Sequence, residues 1–182
     1  MAQEFAPLGK NVKLTRDPKE GGIMKIKTKD AVAPKTRSVE LTRVDKLNFK
    51  IATESGFDIY TDEAVENRGG GTAPRPLETI TAALAACQSL QIVRVAEAMR
   101  FRMDALDVIC STTTGRFPGM DGNDPVMRFG AATMEVAFET DEPENRIARL
   151  KALAVDRCPI SQLFEDAGVV VEMTWAVGPL KS

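Results

Sequence analysis

Pro76-Leu77-Glu78-Thr79-Ile80-Thr81-Ala82-Ala83-Leu84-Ala85-Ala86-Cys87, continued from Gln88 to Arg100, is the stretch that decides the fold. Ile80, Leu84, Cys87, Gln91 and Val95 recur at three- and four-residue spacing. Ala83, Ala86, Leu90, Val93 and Met99 widen the same apolar face, and this is the period of a helix. Ile92 and Ala96 leave little of the circumference polar, so most of the helix is expected to be buried. From Leu77 to Arg100 it would run about 36 Å. A chain of 182 residues can hardly cover such a helix alone, and a partner subunit is expected.

Before the helix, Asn67-Arg68-Gly69-Gly70-Gly71-Thr72-Ala73-Pro74-Arg75-Pro76 cannot continue a strand and reads as a loop. Ahead of it, Ile23–Lys27, Ser38–Leu41, Leu47–Ala52 and Phe57–Thr61 alternate as short strands of a meander. After the helix, Leu106, Val108 and Cys110 share one face of a strand, and Arg116–Pro125 is a loop with two glycines and two prolines. Met127–Glu139 is a long strand with Met134, Val136 and Phe138 on one side and Glu135 and Glu139 on the other. Thr140–Glu144 starts a helix with Ile147, Leu150 and Ala154 as its inner stripe. A second, short helix begins at Cys158-Pro159 and stops at Gly168, and Val169–Val177 closes the chain as a strand. This order makes an α+β protein.

Composition sets the class. Apolar residues at 43% and charged residues at 27% suit a soluble globular domain, and no unbroken apolar run approaches the ~18 residues of a membrane span. Residues 1–38 carry nine Lys/Arg against four acids, whereas the whole chain has a net charge of −2. The expected organisation is a basic, partly extended arm over 1–38 and a domain over 39–182. The arm's charges are dilute, broken by Pro and Gly and accompanied only by Phe5; a solvated arm or one folded onto an acidic body is favoured over a nucleic-acid contact. Met1–Pro7 has no basic end leading into an apolar segment. With an odd number of cysteines, three, a reducing, cytoplasmic setting is expected.

The chain contains no histidine, so His-activated nucleophiles and His-ligated metals are excluded. Chemistry falls to the sulfurs. With Pro159 at the first helical position, Cys158 occupies a helix N-cap, where free N–H groups and the dipole favour a thiolate, and Arg157 adds a nearby charge. The alternative is a small buried residue at a helix start, a place where cysteine is a poor cap. Cys87 among alanines reads either as a small hydrophobe or as a thiol with open space beside it that needs a cation to ionise. Cys110 reads as core.

The segment Pro76–Cys87, followed after 70 residues by Cys158-Pro159, resembles the OsmC/Ohr family of osmotically inducible and organic hydroperoxide resistance proteins, in its OsmC-like branch, over roughly residues 40–177. The resemblance implies antiparallel sheets wrapped around long central helices in an intertwined homodimer. It implies a thiol peroxidase without metal or cofactor. The position matching Cys87 is the peroxidatic thiolate, and that matching Cys158 is the resolving thiol. A lipoyl-type or other dithiol is the reductant. No nucleic-acid or membrane partner is implied.

In the family's peroxidase branches a glutamate directly follows the motif's proline and holds an arginine over the thiolate. Here Leu77 stands there and Glu78 comes one residue later, a rotation of about 100° on a helix. Glu78 is therefore a catalytic candidate beside a simpler role as a first-turn acid. Arg43 is the candidate arginine, with Arg37 second. The alternative function is an OsmC-like binding or structural protein whose cysteines are weakly redox-active or inert.

Overall fold

Short alternating runs on either side of one long helical run give two three-stranded sheets and three main helices. The computed structural model describes residues 34–119 and 124–181. The expected Ile23–Lys27 strand and most of the basic arm lie outside them.

The first sheet is an antiparallel meander of β1 (Val39–Asp45), β2 (Asn48–Thr53) and β3 (Asp58–Thr61). All of β1 is exposed, and Val39, Leu41, Val44, Phe57, Ile59 and Tyr60 present apolar surface to solvent. The sheet makes no substantial contact with the other elements of its own chain.

A turn locked by one carboxylate carries the chain from β3 into the long helix. Buried Asp62 accepts hydrogen bonds from the N–H groups of Glu63, Gly70 and Thr72 and from the Thr72 hydroxyl. These bonds, led by that from the Thr72 amide, hold its carboxyl well below the usual carboxylate range against the opposing pull of desolvation. At Gly69 a Cβ would stand 1.8 Å from the Glu63 carbonyl oxygen, so the loop closes only around a glycine.

Helix α1 (Pro76–Met99) begins with proline at its first turn and ends at Arg100, in the left-handed region at φ 49°. Its innermost row is Leu84, Gln88, Ile92, Val95 and Ala96. Cys87 and Gln91, expected on that row, flank it and are half-buried. The helix is also less covered than expected. Leu77, Ala82, Ala86 and Leu90 remain exposed in the single chain. Taken alone, α1 is long and apolar enough to cross a membrane, with a mean hydropathy of 1.3 over an 18-residue window, although polar residues interrupt its apolar ones. Its inner row packs on neighbouring elements as a core helix does.

Those neighbours are a second sheet and two helices. Strand β4 (Asp104–Phe117) pairs antiparallel with β5 (Val126–Glu139), and β5 pairs in parallel with β6 (Val171–Gly178). The parallel pair departs from the all-antiparallel expectation. It follows from the crossover through α2 (Glu144–Asp156) and α3 (Pro159–Asp166). Arg116 and Phe117, expected in a loop, still pair with Met127 and Val126.

On β5, Ala132, Met134, Val136 and Phe138 are buried. They share one core with Leu84, Ile92 and Val95 of α1, Ile147, Leu150 and Ala154 of α2, and Phe164 of α3. Edge-on aromatic contacts join Phe138 to Phe101 and to Trp175. The crossover thus presses the α2–α3 junction against the middle of α1, where both candidate thiols lie.

Candidate active site

Cys158 is the N-cap of α3, with extended backbone at φ −84° and ψ 108°. Its sulfur accepts the Ser161 N–H at 3.4 Å, using one of the orphan donors of the first turn. The side chain is fully buried. Arg157 turns back along α2, donating to the Leu153 carbonyl at 3.4 Å.

Cys87 projects from the middle of α1 and is half-buried. Its thiol neighbours that of Cys158 closely enough for the two to influence each other's ionisation. Burial pushes the Cys87 thiol above its ordinary range, and the neighbouring Cys158 thiol pushes the same way. The nearby Ile160 N–H and the Arg94 guanidinium oppose that shift by favouring the thiolate. Arg94 lies seven residues on, about two turns along the same helix face.

Gln88, next to Cys87, is fully buried. Its amide donates to the Ala154 carbonyl at 3.0 Å and accepts from the Ser161 hydroxyl at 3.1 Å.

The other sequence candidates fall elsewhere in the chain. Glu78 bonds to Arg75: its carboxylate takes the Arg75 backbone N–H at 2.9 Å and the guanidinium at 2.6 Å. These bonds lower the Glu78 carboxyl and raise the Arg75 guanidinium. Glu78 precedes Cys87 by nine residues, about 13.5 Å of helix rise. Arg43 pairs with Phe49 through the backbone of exposed β1, and among the described residues its side chain makes no hydrogen bond or ion pair. Cys110 pairs across the sheet with Met134 and packs against the core. Burial raises its thiol. It also lines a cavity of about 800 Å³ between β4 and the first half of α1, together with Arg75, Glu78, Thr81 and Thr112. Cys87 does not line that cavity. Among the described residues no group of three or more Cys, Asp or Glu is placed to hold a metal.

Hydrophobic periodicity passes over Gln88, Ser161 and Arg94. The signal available for Gln88 was a polar residue four positions from both Leu84 and Ile92 on a helix otherwise rich in apolar residues.

Known proteins agree with the architecture. The family model described as OsmC-like protein matches residues 69–174. An OsmC-like protein from Mycoplasma pneumoniae superposes with a TM-score of 0.66 at 15% identity, over 79% of this chain and 98% of the other. An organic hydroperoxide resistance protein OsmC from Legionella pneumophila gives 0.62 at 20% identity, over 80% and 100%. The organic hydroperoxide resistance protein OhrB of Bacillus subtilis gives 0.56 at 21%, over 77% and 97%. No curated protein matches the sequence. At these identities the superpositions speak for the fold, and the family model, covering more than half the chain, carries the assignment: the chain belongs to the OsmC-like family.

Proposed function

We propose that the protein is a thiol-dependent peroxidase that reduces organic or small hydroperoxides, with Cys87 peroxidatic and Cys158 resolving. The observation that supports this reading is that a half-buried thiol on α1 neighbours a fully buried one at the α3 N-cap. Two structural cysteines have no need to face each other, whereas a two-thiol redox cycle requires it.

In the first step the Cys87 thiolate attacks the terminal oxygen of a hydroperoxide. The O–O bond breaks, the sulfur loses two electrons to become a sulfenic acid, and the alkoxide takes a proton and leaves as the alcohol. In the second, the Cys158 sulfur attacks the Cys87 sulfur. The S–O bond breaks, hydroxide leaves with the Cys158 proton as water, and a disulfide forms. A dithiol, itself oxidised to a disulfide, returns both thiols. No metal or cofactor enters the cycle. Its three cysteines are all free, which suits a reducing compartment such as the cytoplasm.

The working unit is a homodimer. The exposed apolar face of β1–β3 and the uncovered side of α1 support it. Arg43 would reach a Cys87 only across that interface, since β1 does not pack on α1 of its own chain. Turnover of an organic hydroperoxide with a dithiol reductant tests the function. Wild type should consume peroxide catalytically and Cys87→Ser should not. Equal, slow consumption by the two would leave the weakly redox-active binding protein as the better reading.

A further inference from the structure

We propose that Gln88 and Ser161 are positioning residues that set the approach of the Cys158 sulfur to Cys87 by clasping the junction between α2 and α3. The inference rests on the reading of these cysteines as a redox pair and adds to it the device that holds them together.

An amide on the innermost row of α1 needs a reason, because burying it is unfavourable unless both ends are hydrogen-bonded. The reason is the break between two helices that sits against it. Ala154 lies in the last turn of α2, where carbonyls lose their helical partners; within its own helix end its oxygen receives only a long 3.4 Å bond from the Arg157 N–H. Gln88 supplies a better donor at 3.0 Å. A carbonyl can only accept, so the amide nitrogen must face Ala154 and the amide oxygen must face the other way. There it meets the Ser161 hydroxyl at 3.1 Å. The Ser161 backbone N–H in turn donates to the Cys158 sulfur at 3.4 Å.

The chain of bonds therefore runs from α2 through the residue after Cys87 to the cap of α3, with Cys158 between its two anchor points. Ala154, Gln88, Cys158 and Ser161 are all fully buried, so water does not compete for these bonds. Because Gln88 and Cys87 share one turn of α1, the clasp and the sulfur it serves move together. A resolving thiol held in this way attacks at high effective concentration, and displacement of about 1 Å can cost roughly a hundredfold.

The test uses the full chain with Gln88→Met, which keeps the length of the side chain and removes the amide, Ser161→Ala, and the double variant. The first readout is the equilibrium of the Cys87–Cys158 bridge with reduced and oxidised glutathione, mapped by mass spectrometry, with no peroxide present. Each single variant should lower the bridging constant by roughly tenfold or more, which is about 30 mV per tenfold. The double variant should be no worse than the weaker single, because both act through one chain of bonds. The second readout is rapid mixing with peroxide. Sulfenic acid formation at Cys87 should stay within about twofold of wild type while closure to the disulfide slows roughly tenfold.

An unchanged glutathione equilibrium in the variants overturns the proposal whatever the peroxide rates are. So does an equal loss in both peroxide steps, which marks general damage to the fold. Should Gln88→Met fail to fold, Ser161→Ala alone decides by the same two readouts. A wild-type chain that bridges with glutathione but consumes no peroxide removes the peroxidase reading and leaves the clasp to stand or fall on the first readout. A wild type that forms no bridge overturns both.

Discussion

Glu78 is paired with Arg75, three residues before it at the same helix start, at 2.6 Å. The Glu78 carboxylate is thereby spent on capping α1. Glu78→Gln should therefore leave the rate of Cys87 oxidation within about twofold of wild type. Stopped-flow kinetics of the first step checks this, and a drop of a hundredfold would show that Glu78 reaches the thiolate in the assembled protein.

The two thiols should separate by role. Cys87→Ser abolishes peroxide reduction. Cys158→Ser consumes about one equivalent and stalls as a sulfenic acid that a dimedone-type probe traps. Cys110→Ser changes stability alone, by placing a hydroxyl against the core.

The Cys87 thiol is raised by burial and by the neighbouring Cys158, which favours its protonated form. The first-step rate should climb with pH, roughly tenfold per unit, until the thiol titrates. Arg94→Gln removes a cation that favours the thiolate and should lower the rate at pH 7 more than at pH 10. The same shift has a sign for stability. A thiol whose folded value lies above its unfolded value contributes fully below about pH 8.5, and that contribution is lost as pH rises through the folded value. Cys110 acts in the same direction. Rate profiles with and without Arg94, and melting curves between pH 7 and about 10, test both statements.

The apolar residues left outside on β1–β3 and α1 call for a second copy. An obligate dimer with a core-like interface above the standard ~1,600 Å² is expected. Sedimentation on dilution checks this, a persistent folded monomer being the contrary result.

Much of this architecture can be read from spacing. The inner stripe of α2 is the expected Ile147, Leu150 and Ala154, and α1 starts and ends within one residue of its expected bounds. Pro159 marks the α3 start, and Gly168, at φ 80°, follows its end. Alternation alone does not carry strand direction, so β6 beside β5 could be placed only once its long crossover was considered. The polar run Ser111-Thr112-Thr113-Thr114 concealed how far β4 extends. At the site, both sulfurs stand out in sequence, but Gln88 does not. A buried amide breaks the apolar pattern that locates a helix's inner face, and its partners, Ala154 and Ser161, are 66 and 73 residues away.

The nearness of Cys87 to Cys158 also makes the redox state mechanical. A bridge between them would enclose 70 residues and so remove much of the unfolded chain's freedom, a constraint worth about 4 kcal/mol in the loop-entropy account. Since α1 would then be tethered to the crossover that places β6, the oxidised chain should melt several degrees above the reduced one. Heat resistance would thus report how much of the protein is waiting for its reductant.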